Sequence, residues 1–334
     1  MPPMTLAESI DAYLQTVRLA RSGNTARTYG NALQAFLECL RGLGLDPDQL
    51  PAKRASEAWI SEFATYLKGY APTSEQLYLV AVAGWYEYLS AEGLASLNLA
   101  RLRLLIRHRS RRPGQRLPQF PRAAIEQVLR FAARLPSSPG ADERQLLREK
   151  RDVAFLYVLA DTGLRVHEAC GLRRGDIDWE ESRALLIGKG NRQAVVRFSS
   201  RALRFLRAYL QARLGLDGRS AKPLSSLPVF ARHDRRAGER VLPITTSTGR
   251  AIVHQRVAEA LGSEDDGTIT PHSFRHYFVT TVLRASGGNL KLAQELARHR
   301  NISVTQRYAH LSDDELDRGY HTIFDAGPDR GDQD

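Results

Sequence analysis

Cysteine is almost absent from this 334-residue chain, with Cys39 and Cys170 the only two. A disulfide framework and a cysteine-rich zinc site are thereby excluded, and a reducing compartment fits. No apolar run approaches the roughly 18 residues a membrane-spanning helix needs, and the opening Met1-Pro2-Pro3-Met4 lacks the basic-then-apolar order of a secretion signal. The expectation is a soluble, cytoplasmic protein with no membrane partner. Acid is also scarce, 37 Asp and Glu against 48 Lys and Arg, for a net charge of +11. Such an excess makes a polyanion the natural partner, because clustered cations release counterions from phosphates. A basic protein that docks on acidic proteins has the same balance, so composition leaves that choice open.

Hydrophobic spacing supplies the organisation. Leu6, Ile10, Tyr13 and Leu14 share one helical face, and Thr28, Leu33, Phe36 and Leu37 continue the rhythm in a second helix that Asn24 or Thr25 would cap. Further helical patterns cover 55–68 and 74–91, the latter opened by Pro72. From Arg101 to Arg116 the chain carries seven arginines and no acid. That stretch reads equally as a solvated linker and as a segment crossing DNA phosphates. Beyond it the classes mix. Helical periodicity over 124–133, 152–160, 200–211, 250–261 and 273–285 surrounds two β-rich runs, 184–187 and 194–198, on either side of Gly188-Lys189-Gly190, a hairpin signal. Residues 215–246 read mainly as loop. The fold class is therefore mainly α with a small antiparallel sheet (α+β), divided into a helical domain over 1–108, a basic linker over 109–120, a second domain over 121–326 and a disordered tail over 327–334.

Several residues in the second domain can carry chemistry. Gly163 can end one helix so that Arg165 and Glu168 share a face of the next. Alone, Arg-x-x-Glu is an ordinary surface ion pair contributing under about 1 kcal/mol; at the edge of an apolar core, it also pre-aims a guanidinium at a phosphate. Lys189 between two glycines reads first as a plain turn residue; as a functional residue, a lysine on a mobile hairpin tip could enter a DNA groove and protonate a leaving oxygen. Thr270-Pro271 reads as a helix start that puts His272 and Arg275 in the first turn, where free N–H groups favour an anion. His272 and His276, four apart, also have the spacing of a metal pair, although no nearby Cys or carboxylate completes the set. His299 falls just past a helix over 289–297, and Tyr308 follows nine residues later.

Taken in order, Arg165 with Glu168, Lys189 on a hairpin, His272-x-x-Arg275, His299 and Tyr308 resemble the tyrosine recombinase family of the Xer type. The likeness covers nearly the whole chain, weakly over the first domain and strongly over the second. One departure is Arg298, where the family usually has glycine before its histidine. The resemblance implies a site-specific DNA recombinase with a core-binding domain (SAM-like) before its catalytic domain. It implies catalytic Arg165, Lys189, His272, Arg275, His299 and Tyr308, with Glu168 in support and no metal or other cofactor. Double-stranded DNA would be the partner, with self-association into a tetrameric synapse, and Arg101, Arg103, Arg107, Arg109, Arg111 and Arg112 would meet its backbone. A silent DNA-binding regulator of the same fold and a type IB topoisomerase are the alternatives. A capping-box start at Ser312 and Glu315 predicts a terminal helix over 312–324.

Overall fold

The computed structural model describes residues 3–111, 121–135, 142–188, 192–262, 267–299, 301, 302 and 305. Lys189, Tyr308, Arg112 and the expected terminal helix lie outside them. The chain divides into two compact units, residues 1–116 and 117–334.

The first unit holds five helices among the described residues: α1 (Leu6–Ala20), α2 (Gly23–Gly42), α3 (Trp59–Tyr66), α4 (Pro72–Ala91) and α5 (Leu99–Arg109). Thr5 and Glu8 exchange hydrogen bonds in a capping box that starts α1. Ser22, earlier than Asn24 or Thr25, caps α2 by accepting the Thr25 N–H at 3.3 Å. Trp85, Phe36, Phe63 and Tyr86 form an aromatic centre with rings about edge-on, and Tyr86 satisfies its hydroxyl on the Ser56 carbonyl at 2.7 Å. The first half of the basic run proves to be α5. Asn98 caps it, and Leu102 buries itself with Leu99, Leu105 and Ile106 alongside, leaving Arg101, Arg103, Arg107 and Arg109 exposed.

The second unit is built around α7 (Glu143–Thr162), whose residues from Val153 to Ala160 are buried on every side. Around it stand α6 (Arg122–Ala132), α8 (Val166–Gly171), α9 (Ser200–Ala212), α11 (Thr246–Leu261) and α12 (Pro271–Ala285), with short α10 (Leu214–Gly218) and α13 (Leu290–Ala297). Strands β1 (Ile177–Asp178), β2 (Arg183–Gly188) and β3 (Arg192–Arg197) form an antiparallel sheet in the order β1-β2-β3. Ala184 pairs with Val196 on the buried face, while Leu185 and Val195 pair on the exposed one. The expected loop over 215–246 has little regular structure but is no surface connection. Leu227, Val229, Phe230 and Ala231 are buried, and Phe230 packs edge-on to Phe155. No described helix is long and apolar enough to cross a membrane.

Candidate active site

The site begins where α7 stops. Gly163 terminates it at φ 59°, and a Cβ there would lie 2.4 Å from Phe278 Cδ1, so both conformation and space demand glycine. Two residues on, Arg165 is the N-cap of α8 and Glu168 its third residue. The Glu168 Oε2 accepts the Arg165 backbone N–H at 2.8 Å, and Oε1 accepts Arg165 Nη1 at 3.0 Å. A six-residue helix thus fixes cation and carboxylate together. Burial pushes the Glu168 carboxyl up, but the Arg165 N–H and the charges of Arg298 and Arg165 outweigh it and hold the group below its ordinary value.

Helix α12 starts as its sequence predicts, with Thr270 at the N-cap, Pro271 at the first helical position, and His272 and Arg275 in the first turn. Arg275 is only 2% exposed. Its Nη1 donates to the Gly163 carbonyl and its Nη2 to the Ala297 carbonyl. A buried guanidinium is costly unless hydrogen-bonded, so these contacts fix where it stands. They also tie the end of α7, which leads to Arg165, to the end of α13, which leads to His299.

His272 stands at the more exposed edge, its ring perpendicular to that of His276 with centroids 4.4 Å apart. Burial, then the charges of Arg275 and Arg165, push its pKa below the usual 6.5. His276 is driven down to about 4 by burial, His272 and Arg275. Both rings are therefore neutral at pH 7, and among the described residues no group of three His, Cys, Asp or Glu side chains is placed to hold a metal.

The last turn of α13 is closed by Arg298 in the left-handed region, φ 58° and ψ 44°. Glycine is the usual occupant of such a cap, and a side chain there costs about 1–2 kcal/mol. The turn delivers His299, whose Nδ1 lies 2.9 Å from the Thr305 hydroxyl. Burial first, then Arg275, Arg165 and the two other histidines, lower the His299 pKa to about 4. Arg298 Nη2 donates to Glu168 Oε2 at 3.1 Å, linking the same two segments a second time.

A cavity of about 430 Å³ opens over these elements, lined by Arg165, Arg250, His254, Thr270, His272 and Arg275, with Leu164, Val166 and Ile269 as its apolar wall. No carboxylate is among the described residues lining it. Three arginines in its lining attract an anion, and two histidines, His254 and His272, stand beside it. Arg165, Glu168, Arg275 and the turn bearing His299 are thus bonded into one linked set, with His272 beside Arg165 and Arg275 in the cavity lining. Arg250 and His254 carry no motif in the sequence, being polar residues among several on an ordinary helix. Gly249 is the available signal: its Cβ would meet Cys170 Sγ at 2.8 Å, a close helix crossing that sets Arg250 at the cleft.

In the first unit, the exposed α5 arginines are joined by Arg111, whose side chain is differently employed. It donates to fully buried Glu75 at 2.6 Å and to the carbonyls of Leu67 and Tyr70. Lys68 takes the other Glu75 oxygen at 2.7 Å.

A cleft of cations and imidazoles on a mainly helical scaffold is the equipment of a phosphoryl-transfer enzyme. Residues 141–315 match the model of the Phage integrase family. Tyrosine recombinase XerC of Treponema denticola is 31% identical over 300 residues, covering 89% of this chain and 92% of that protein. XerC of Mycobacterium leprae is 31% identical over 313 residues, covering 92% and 95%. The crystal structure of the XerH site-specific recombinase in a post-cleavage complex with its palindromic difH substrate shares the fold, with a TM-score of 0.66 at 17% identity over 89% of this chain and 79% of that one. The chain belongs to the phage integrase family of tyrosine recombinases, and is a DNA-binding enzyme that cuts and rejoins DNA strands in site-specific recombination.

Proposed function

We propose that Tyr308 is the nucleophile and that the linked set around Arg275 is its phosphate-activating centre. The Tyr308 oxygen forms a bond to phosphorus while the bond from phosphorus to the 5′ oxygen breaks, leaving a 3′-phosphotyrosyl enzyme and a 5′-hydroxyl. The phenolic proton passes to His272, which its depressed pKa leaves free to accept it at neutral pH. Lys189 protonates the departing oxygen. Arg165 and Arg275 neutralise the non-bridging oxygens, and His299 donates to one of them from Nε2, with Nδ1 accepting from Thr305. Glu168 orients Arg165. Because the phosphotyrosine keeps the energy of the broken bond, a 5′-hydroxyl from a second duplex reverses the step with no metal or energy-rich cofactor.

The observation that carries this reading is the Arg275 guanidinium, which bonds the carbonyls of Gly163 and Ala297 and so binds together the segments bearing Arg165 and His299. Around this centre we assign residues 1–108 to core binding, 109–120 to a basic linker and 121–326 to catalysis. Arg101, Arg103, Arg107, Arg109 and Arg112 contact the duplex backbone; Arg111, spent on Glu75, anchors the chain where it leaves α5. Four protomers hold two duplexes in the exchanging synapse, in the cytoplasm.

Tyr308→Phe tests the assignment. On a nicked suicide duplex in EDTA, wild-type protein forms a covalent adduct, while the variant binds with nearly unchanged affinity and forms none. An adduct in the variant refutes Tyr308. A strict need for a divalent metal restores the His272 and His276 pair as ligands. Relaxation of supercoils by a monomer, without exchange between paired sites, points to topoisomerase behaviour in place of a synapse.

A further inference from the structure

Arg298 occupies a backbone position of the site where a side chain is conformationally unwelcome. Among the described residues only Ser182 and Arg298 have positive φ without being glycine. The arginine does not hang in solvent to relieve the crowding. Its side chain is 12% exposed and reaches across to α8, 130 residues earlier in the chain, to donate Nη2 to Glu168 Oε2 at 3.1 Å.

Glu168 is consequently held from two sides. Its Oε1 takes Arg165 Nη1, and its Oε2 takes both the Arg165 N–H and Arg298 Nη2. The carboxylate cannot rotate without breaking a bond to one guanidinium or the other, so the plane in which it presents Arg165 is fixed from α13 as well as from α8. One carboxylate serving two guanidiniums also leaves the trio with a surplus positive charge. Arg298 Nη1 is buried and has no hydrogen-bond partner among the described residues. Burial and the nearby Arg165 charge both disfavour the Arg298 cation, the Glu168 carboxylate favours it, and an anion entering the cleft would relieve the imbalance.

We propose that Arg298 is a positioning residue of the strand-cleavage reaction, acting through Glu168 to hold Arg165 against the scissile phosphate. It replaces the freedom of a glycine cap with a second strap between the segments that carry Arg165 and His299, beside the one Arg275 supplies. The proposal rests on the phosphate-activating role given to Arg165 above.

The experiment uses the full chain with Arg298→Gly, in which relief of the left-handed backbone works against the loss of the bond to Glu168, and the denaturation midpoint verifies that the variant is folded. Single-turnover adduct formation on a phosphate suicide duplex falls about 10- to 100-fold, the scale of a slightly misplaced catalytic group. On a duplex whose scissile phosphate is a neutral methylphosphonate, where there is less charge for Arg165 to meet, the deficit disappears. In the double variant with Glu168→Gln, the Arg298→Gly substitution costs nothing further. Arg298→Asn, which also tolerates the left-handed region, gives the same pattern and guards against an artefact of glycine flexibility. Wild-type rates in both variants overturn the proposal, as does an equal loss on phosphate and methylphosphonate or an additive loss with Glu168→Gln. Failure of the wild-type protein to form any Tyr308 adduct would instead strike the underlying assignment, so the two failures are told apart.

Discussion

The two units solve the problem of a buried interior in opposite ways. In the first, the buried polar side chains are Ser9, Ser61 and Glu75, and an aromatic cluster does the packing. In the second, Arg151, Asp152, Arg213, Asp217, His233, Arg256 and Arg275 are all buried. Asp152 is shared by Arg151 at 2.7 Å and Arg256 at 2.7 Å, while Arg213 pairs with Asp217 at 2.8 Å and donates to the Val229 carbonyl at 2.8 Å. Apolar packing alone tolerates small slides of one helix on another; hydrogen-bonded charges do not. The first unit relies mainly on the former, and the second, which under the proposed function holds several groups around one phosphorus atom, uses both.

That contrast can be broken by substitution. The largest effect belongs to Arg275→Ala, which removes the proposed phosphate donor and the tie between α7 and α13 at once. Cleavage falls by at least about 10³-fold, the range seen when preorganised donors are lost. Hydrogen exchange read separately over the two units shows lost protection in 117–334 and none in 1–116; equal loosening of both would void the comparison.

Gly163→Ala comes next. The left-handed conformation and the approach of Phe278 together cost about 2–4 kcal/mol, measured as a lower denaturation midpoint of the second unit. Cleavage slows as well, because the Gly163 carbonyl that holds Arg275 moves.

Acid distinguishes the units more gently. His233 is buried against Tyr209, and burial followed by the charges of Arg151, Arg213 and Arg148 lowers its pKa to about 3. Its folded value lies below the unfolded 6.5, so its contribution to stability is complete above pH 6.5 and is lost as pH falls toward 3, at about 1.4 kcal/mol per unit. His276 and His299, both near 4, act in the same direction. In the first unit the shifted carboxyl is Glu75: burial raises it, and the bonds from Lys68 and Arg111 more than compensate, so its stabilisation is lost only below the usual 4.5. Between pH 6 and 5 the second unit should loosen first; simultaneous unfolding at pH 4 would contradict this.

The smallest effect concerns the first unit's surface. Changing Arg101, Arg107 and Arg109 to Gln should leave stability and single-turnover chemistry alone and flatten the salt dependence of DNA binding by about 0.9 in log-log slope per lost phosphate contact. An unchanged slope would make α5 a solvated face.

What could be read from the sequence follows the same division. The long helices and the hairpin were legible because their apolar periodicity is strong, and Thr270-Pro271 announced the start of α12 correctly. Helix α5 was hidden because four arginines overlay its Leu99, Leu102, Leu105 and Ile106 stripe. Strand β1 is two residues long, too short for alternation to register. Phe230 and its neighbours were missed because an irregular segment that fills a core has no period. At the site, residue types and order identified Arg165, His272, Arg275 and His299 as candidates, but the Arg275 bonds to two carbonyls could not be foreseen, since backbone acceptors carry no residue identity. Arg298 was visible only as a departure from glycine; its reach to Glu168 depends on a turn whose handedness the sequence does not spell out.

The acceptors of Arg275 lie 112 residues before it and 22 after it. On a ribosome, a growing chain displays the basic first unit, and then Arg165 and Glu168, long before Ala297 emerges to close the clamp. A nascent or truncated product that stops short of Ala297 therefore lacks one of the two carbonyls that hold Arg275. The order of synthesis thus leaves the Arg275 guanidinium half-anchored until the end of α13 has been made.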